Sequence, residues 1–203
     1  MPTRIQIAPD HPDPRLIARA VAALRSGGLI AYPTDTVYGL GCDIHQKKAV
    51  ARIHEVKRVK KTQPLAFICP DLGDVARYGI VDDRTYRMMR RLTPGPYCFI
   101  LRATRDAPRA LHLPKKRKTV GIRVPHHEVA LALVRELGHP IVSTTASWEG
   151  EPLNDPGDIM ARFPSLEIVL DAGYGGLEPS TVLDVTEGDV VVLREGAGPV
   201  DIL

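Results

Sequence analysis

The stretch Leu29–Asp43 constrains the fold of this chain more than any other. It opens with Leu29–Tyr32, an apolar run with the length of one buried strand, and then changes to small and hydroxylated residues. Polar residues directly after a buried strand are typical of an open α/β sheet, in which ligands bind beyond the carboxyl ends of the strands. Two interpretations stay open. Either Thr34, Thr36, Gly39 and Gly41 approach a ligand, or Asp35 caps a tight strand-to-helix turn whose glycines only supply positive φ.

The rest of the chain alternates between helical and extended patterns. Helices are predicted from Pro14 to the stop signal Ser26–Gly28, and over Gln46–Val56, Leu72–Tyr78, Asp83–Leu92, His126–Leu137 and Asp155–Arg162. Strands are predicted at Leu29–Tyr32, Leu65–Cys69, Tyr97–Ala103, Val120–Val124, Ile141–Val142, Ile168–Leu170, Thr181–Val185 and Val190–Arg194. This order predicts an α/β fold, with a mixed sheet and helical cover, and a single domain over residues 1–203.

Composition excludes several classes of protein. Apolar residues make up 44% of the chain, but no apolar run reaches the roughly 18 residues of a membrane span. The N-terminus lacks the apolar core of a signal peptide, so we expect a cytoplasmic protein that does not enter a membrane. Cys42, Cys69 and Cys98 show no CxxC spacing and are predicted to be buried free thiols.

Charge and hydroxyl groups point to an anionic ligand. The net charge of +3 is mild, but the basic residues form three clusters, namely Lys57–Lys61, Arg87 with Arg90 and Arg91, and Lys115–Lys118. If these clusters converge on one face, they form an anion site. Hydroxyl residues follow several strands, and such donors combined with cations suit a triphosphate or a nucleic-acid backbone.

The common nucleotide and catalytic motifs are missing from the sequence. It contains no GxxxxGK[ST] loop and no GxGxxG, so the two commonest nucleotide folds are not supported. The histidines lack metal-ligand spacing, and we expect no metal site built by the protein. Ser143 lacks the GxSxG elbow of a hydrolase.

Six blocks in a fixed order resemble a known family. They are YPTDTVYGLGCD, TPGPYCFIL, TVGIRVPHH, IVSTTASWEG, STVLDV and LREGAG. Together they are similar to the YrdC-like family of threonylcarbamoyl-AMP synthases. RIHEVKR, IVDDRTYRMMRRLTPGPYCFIL and KKRKTVGIRVP are more similar still to its YciO branch. The resemblance implies a twisted mixed sheet with helical cover and a large concave, basic groove.

The resemblance also implies a reaction. Its substrates would be L-threonine, bicarbonate and ATP that carries its own Mg²⁺, and its products would be threonylcarbamoyl-adenylate and pyrophosphate, on the way to N6-threonylcarbamoyladenosine in tRNA. The alternative is an RNA-binding, translation-associated module without efficient synthase activity, whose partner would be tRNA or double-stranded RNA. The sequence leaves the oligomeric state open.

The family motifs carry site assignments onto this chain. Lys57 and Thr34 take the catalytic positions implied by the resemblance. Substrate or nucleotide contacts are implied for Arg58, Lys60, Arg123, Ser143, Thr145, Ser147, Ser180, Thr181 and Arg194. Two motifs depart from the family pattern: K-x-R has Val59 at its arginine position, so that Arg58 or Lys60 must substitute, and S-A-N reads Thr145-Ala146-Ser147. Because the side chain of serine is shorter than that of asparagine and offers one hydroxyl in place of an amide group, these departures predict weak synthase activity.

Overall fold

A computed structural model of the chain describes residues 1–58, 65–108 and 118–202. Its helices are α1 (Pro14–Arg25), α2 (Lys47–Val56), α3 (Leu72–Tyr78), α4 (Asp83–Leu92), α5 (Glu128–Leu137) and α6 (Pro156–Arg162). Its strands are β1 (Thr3–Gln6), β2 (Ile30–Tyr32), β3 (Gly39–Asp43), β4 (Ala66–Ile68), β5 (Gly79–Ile80), β6 (Tyr97–Ala103), β7 (Thr119–Arg123), β8 (Ile141–Thr145), β9 (Ser147–Trp148), β10 (Glu151–Pro152), β11 (Ile168–Asp171), β12 (Thr181–Asp184) and β13 (Val191–Arg194). Lys60, Lys61 and Lys115–Arg117 lie outside the described residues.

The predicted mixed sheet with helical cover is confirmed. Within the described residues, eleven strands form one sheet in the order β1-β11-β2-β3-β8-β4-β7-β6-β12-β13, with β5 paired to β6. The sheet contains parallel pairs, such as β4 with β7 and β6 with β12, and antiparallel pairs, such as β3 with β8. The short hairpin of β9 and β10 forms a separate two-stranded sheet.

Local signals in the sequence set most helix ends. Asp13, Asp82 and Asp155 each accept a hydrogen bond from a backbone N–H of the first helical turn, which satisfies donors that have no partner inside the helix. Gly138 ends α5 with a left-handed φ of +82°, as its position after the apolar pattern predicts. Asp83 and Asp158 lie in the first turns of α4 and α6.

Helices cover one face of the sheet throughout its centre. Phe67, Phe99, Ile122, Val142 and Leu183 point to this face from five neighbouring strands and are fully buried. They share one core cluster with apolar side chains of α2, α3, α4 and α6. Because side chains alternate between faces along a strand, the residues between them must point to the opposite face.

The opposite face is covered at one end only. A second core cluster joins α1 and α5 to apolar side chains of β1, β2 and β11, and reaches Ile68 and Ile141 at the margin. Beyond that margin the same face carries small or polar residues, among them Ala66, Cys98, Gly121 and Ser143. The sheet is therefore open over β4, β7, β6 and β12.

The glycines of the YGLG segment have a packing role that the sequence did not reveal. Gly39 and Gly41 lie in β3, which pairs antiparallel with β2, and neither has a positive φ. The buried ring of Tyr32 crosses them, so that a Cβ at Gly41 would lie 2.8 Å from Tyr32 Cε1 and a Cβ at Gly39 would lie 3.0 Å from its Cζ. The interpretation that these glycines supply positive φ is therefore wrong, whereas their close approach to a ligand stays a prediction.

Two further expectations can be compared with the structure. Cys42, Cys69 and Cys98 are free and buried, as predicted. Among residues 1–58, 65–108 and 118–202, no helix combines the length and the apolar character needed to cross a bilayer.

Candidate functional site

A cavity of about 650 Å³ lies on the open face of the sheet. Its wall is built from alternate residues of neighbouring strands, as in Cys98 and Ile100 of β6 or Gly121 and Arg123 of β7. Cys98 and Gly121 are small, which leaves room that large side chains would fill. The sequence predicts a site at the carboxyl ends of strands. Arg123, Thr145 and Arg194 line the cavity from such ends, and interior residues of the strands form its floor.

Three cations from distant parts of the chain line this cavity. Lys57 follows α2, Arg123 ends β7 and Arg194 ends β13. The hydroxyl residues that border the same space are Ser143, Thr144, Thr145, Ser147 and Ser180. Strand pairing explains the convergence, since β13 lies beside β12 and β7 lies between β4 and β6. The cavity therefore combines positive charge with hydrogen-bonding groups that fix geometry.

Lys57 is a half-buried cation held by neutral acceptors. Its Nζ donates to the carbonyl of Thr145 at 2.7 Å and to Oγ of Ser147 at 2.8 Å. Within the described part of the chain, no carboxylate lies within ion-pair distance of this ammonium group. Burial therefore lowers the pKa of Lys57 to about 8, because water that would stabilise the charge is excluded.

Arg123 forms a largely buried ion pair with Asp35 at the cavity wall. Its guanidinium donates to Oγ1 of Thr36 at 2.8 Å and forms an ion pair with Asp35, and both charged side chains are largely buried. Two atoms of this pair, Nε of Arg123 and Oδ2 of Asp35, are buried and have no hydrogen-bond partner among the described residues. Buried polar atoms are nearly always satisfied, so these two atoms are exceptions to the usual pattern.

Two serines of the cavity are oriented by their neighbours. The hydroxyl of the fully buried Tyr32 donates to Oγ of Ser143 at 2.6 Å, and burial raises the pKa of Tyr32 well above its usual value. The carbonyl of Ser180 accepts from Nη2 of Arg194 at 2.6 Å. This contact holds an otherwise exposed guanidinium beside the cavity.

Three predicted site residues of the described structure, Thr34, Arg58 and Thr181, do not line the cavity. Thr34 is half-buried and donates to the carbonyl of Val37 at 2.6 Å, which shapes the loop between β2 and β3. Thr181 is fully buried, and its hydroxyl donates to the carbonyl of Gly198 while it accepts from two backbone N–H groups. Its full hydrogen-bonding capacity is thus used by the chain end. Arg58 lies over the ring of Trp148 at 4.8 Å, and Lys60 lies outside the described residues.

The three basic clusters do not all converge. Arg87, Arg90 and Arg91 lie on α4, whose buried residues Met88 and Met89 pack on the helix-covered face of the sheet. Arg87 and Arg91 border a separate hollow of about 510 Å³ beside the connection between β12 and β13. The condition that the basic clusters converge on one face is therefore not met by this helix.

Sequence reasoning missed the apolar floor of the cavity. The missed residues are Leu65, Ala66, Ile68, Cys98, Ile100, Gly121, Gly150, Pro152, Pro179, Val182 and Leu193. One signal could have found part of the floor, namely the alternation within Tyr97–Leu101. Tyr97, Phe99 and Leu101 alternate there with Cys98 and Ile100, which line the cavity. Burial raises the pKa of the Cys98 thiol to about 11, so this floor residue is no thiolate nucleophile near neutral pH.

Comparisons with known proteins identify the family. The family model Sua5_yciO_yrdC, described as "Telomere recombination", matches residues 22–196. The chain belongs to this family. It is 42% identical over 197 residues to the protein YciO of Escherichia coli, which covers 96% of this chain and 95% of that protein. It is 36% identical over 184 residues to a threonylcarbamoyl-AMP synthase of Xanthomonas axonopodis pv. citri, covering 85% of this chain and 95% of that protein.

Solved structures of the family superpose closely on the fold. The crystal structure of E. coli YciO gives a TM-score of 0.95 at 40% identity, covering 100% of this chain and 99% of that one. The crystal structure of P. abyssi Sua5 complexed with L-threonine gives a TM-score of 0.90 at 29% identity. It is matched over 98% of this chain and 59% of its own length, so the present chain spans little more than half of that protein.

Proposed function

We propose that this chain binds ATP with its Mg²⁺, L-threonine and bicarbonate in the cavity, and forms threonylcarbamoyl-adenylate and pyrophosphate. The product would supply the threonylcarbamoyl group for N6-threonylcarbamoyladenosine in tRNA. The observation that carries the proposal is that Lys57, Arg123 and Arg194 line one cavity together with five hydroxyl residues. The synthase relatives and a family member solved with L-threonine support the choice of substrates.

The proposed chemistry needs position and charge more than a nucleophilic side chain. The threonine amine takes up carbon dioxide derived from bicarbonate, with loss of water, to form a carbamate. A carbamate oxygen then attacks the α-phosphorus of ATP, the bond to the bridging oxygen breaks, and pyrophosphate leaves with the electron pair. Cations around the phosphates stabilise the charge that spreads over them in the transition state.

The residues of the cavity suit different parts of these substrates. Lys57 and Arg194 stand at the cavity wall as the cations for the phosphate groups. Arg123 lines the cavity with a guanidinium group, which suits a carboxylate such as that of threonine. The apolar floor formed by Cys98, Ile100 and Val182 suits the flat face of a base. Thr34 and Thr181 would act through the loops that they shape.

The departures from the family pattern weaken the proposed activity without removing its main charges. The hydroxyl of Ser147 is already bonded to Lys57, so it offers little to a nucleotide. Loss of one donor to developing charge costs roughly two to three orders of magnitude in rate. We therefore expect slow turnover with retained nucleotide binding.

The test is pyrophosphate release that depends on threonine. Purified protein is incubated with ATP, Mg²⁺ and bicarbonate, with and without L-threonine, alongside the variants Lys57→Gln and Arg194→Gln. The matched control is Lys48→Gln, an exposed lysine of α2. We expect threonine-dependent release in the wild type and the control, and at least about ten-fold less in the two cavity variants because each loses one charge-assisted contact.

The contrary outcome is equally specific. No threonine-dependent release, together with salt-sensitive binding of tRNA or double-stranded RNA, would support the RNA-binding module instead. Equal rates in the wild type and Lys57→Gln would exclude this cavity as the site of the chemistry.

A further inference from the structure

The hairpin of β9 and β10 forms one wall of the cavity but has little stability of its own. Ser147, Gly150 and Pro152 line the cavity from this hairpin. It has two residue pairs, Trp148 with Glu151 and Ser147 with Pro152, and it is not part of the main sheet. An isolated hairpin of this size is marginally stable in water, so other contacts must hold it.

Trp148 supplies those contacts on the side away from the cavity lining. The guanidinium carbon of Arg58 lies 4.8 Å from the centre of the indole ring, and that of Arg162 lies 5.3 Å from it. The ring of Phe163 meets the indole edge to face, with 6.0 Å between ring centres. Tryptophan is the most favourable ring for a cation–π contact, and arginine is its more frequent partner among the cationic side chains. The hairpin is thus attached to both α2 and α6.

The backbone at Arg58 supports a specific role for this residue. Arg58 has a φ of +54°, in the left-handed region that non-glycine residues rarely adopt, and such conformations persist where the surroundings enforce them. It directly follows Lys57, which donates to Ser147 on the same hairpin. Two consecutive residues at the end of α2 therefore hold the hairpin, one by hydrogen bonds and the other by stacking on Trp148.

From this geometry we propose that Arg58 is a positioning residue. Together with Arg162 it holds Trp148, and this fixes the hairpin wall so that the Ser147 hydroxyl stays against Lys57 at the nucleotide cavity. Arg58 thereby acts on the nucleotide through the hairpin. The family resemblance had implied a direct contact of Arg58 with substrate or nucleotide. The effect on nucleotide rests on the proposed function, whereas the hold on the hairpin can be measured without any ligand.

The first measurement uses the tryptophan itself. Trp148 is the only tryptophan of the chain, so its fluorescence reports on the hairpin alone. Acrylamide quenching is compared without ligand in the wild type, Arg58→Gln, Arg58→Lys and the control Arg19→Gln, an exposed arginine of α1. A cation–π contact is worth on the order of a two- to five-fold change in the population of the held hairpin. We expect quenching to rise in Arg58→Gln, partly recover in Arg58→Lys and stay unchanged in Arg19→Gln.

The second measurement separates positioning from direct contact. In steady-state pyrophosphate release, Arg58→Gln is expected to raise the KM for ATP by about two- to five-fold while kcat changes little, because only the wall of the site is loosened. A variant at Arg58 that lowers kcat as far as Lys57→Gln does would indicate contact with the reacting phosphates and overturn the proposal.

The remaining outcomes are also decisive. Unchanged quenching in Arg58→Gln would show that Arg58 does not hold the hairpin, and the proposal would fail whatever the kinetics. Absence of nucleotide binding in the wild type would end both the proposed function and the positioning role, while quenching would still establish or exclude the attachment of Trp148. The variant Arg58→Gly, which relieves the left-handed backbone, is expected to fold and to quench like Arg58→Gln.

Discussion

Replacing Lys57 by methionine should change how the stability of the fold depends on pH. The ammonium group is half-buried without a carboxylate partner among the described residues, and burial lowers its pKa from 10.5 to about 8. The unfolded chain keeps the Lys57 proton up to its ordinary pKa, whereas the folded chain releases it near pH 8. Between these values the unfolded state binds more protons, so the folded state gains stability as pH rises.

The size of this effect follows from the two pKa values. At about 1.4 kcal/mol for each tenfold change in proton affinity, the wild type should gain roughly 3 kcal/mol relative to Lys57→Met between pH 8 and pH 10.5. Methionine has a similar length and fills the space without a charge, so the variant does not gain in this interval. Below pH 8 the cost of burying the charge is fully present in the wild type.

The assay is urea unfolding of both proteins at several pH values across this interval, followed by the fluorescence of Trp148 and by circular dichroism. Other groups titrate in the same range, but they are common to both proteins and cancel in the difference. Lys48→Met, at an exposed position of α2, serves as the control. A difference in unfolding free energy that stays constant with pH would show that Lys57 is not a buried, unpaired cation, and would refute the reasoning.

Two further predictions concern packing around the loop that follows β2. Gly176→Ala should lower the unfolding free energy by about 1–3 kcal/mol, because the added Cβ would overlap the carbonyl of Thr36, a backbone group that cannot move aside; an unchanged urea midpoint would contradict this close approach. Tyr32→Phe removes the 2.6 Å hydrogen bond to Ser143 inside the protein, and should cost about 1 kcal/mol while the ring stays in place. A loss well above that value in the same unfolding assay would mean that the ring itself had moved.

Helices and long strands were predictable from the sequence because their signals are local. α1, α3, α4 and β6 have the predicted bounds, and the starts of the other helices shift by one or two residues. Periodic apolar residues and Asp caps act within one or two turns, so no distant contact is needed to recognise them. β3 was missed because its glycines imitate a loop, and only the distant ring of Tyr32 explains them.

The site was less predictable because it depends on which strands become neighbours. The residue types at Lys57, Arg123 and Arg194 indicated an anion site, and the structure brings them to one cavity. The cavity lies on a face of the sheet because of the strand order and because α1 and α5 cover only one end of that face. No local sequence pattern indicates either feature. Arg58 shows the same limit, since its contact with Trp148 joins segments ninety positions apart.

The most direct test of the account is to look for the proposed product itself. Protein, ATP, Mg²⁺, L-threonine and ¹³C-labelled bicarbonate are incubated together, and the small molecules are separated and analysed by mass spectrometry. The account predicts threonylcarbamoyl-adenylate that carries the label, in amounts reduced at least about ten-fold by Lys57→Gln. Labelled product made equally well by Lys57→Gln, or no product from protein that is saturated with ATP, would contradict it.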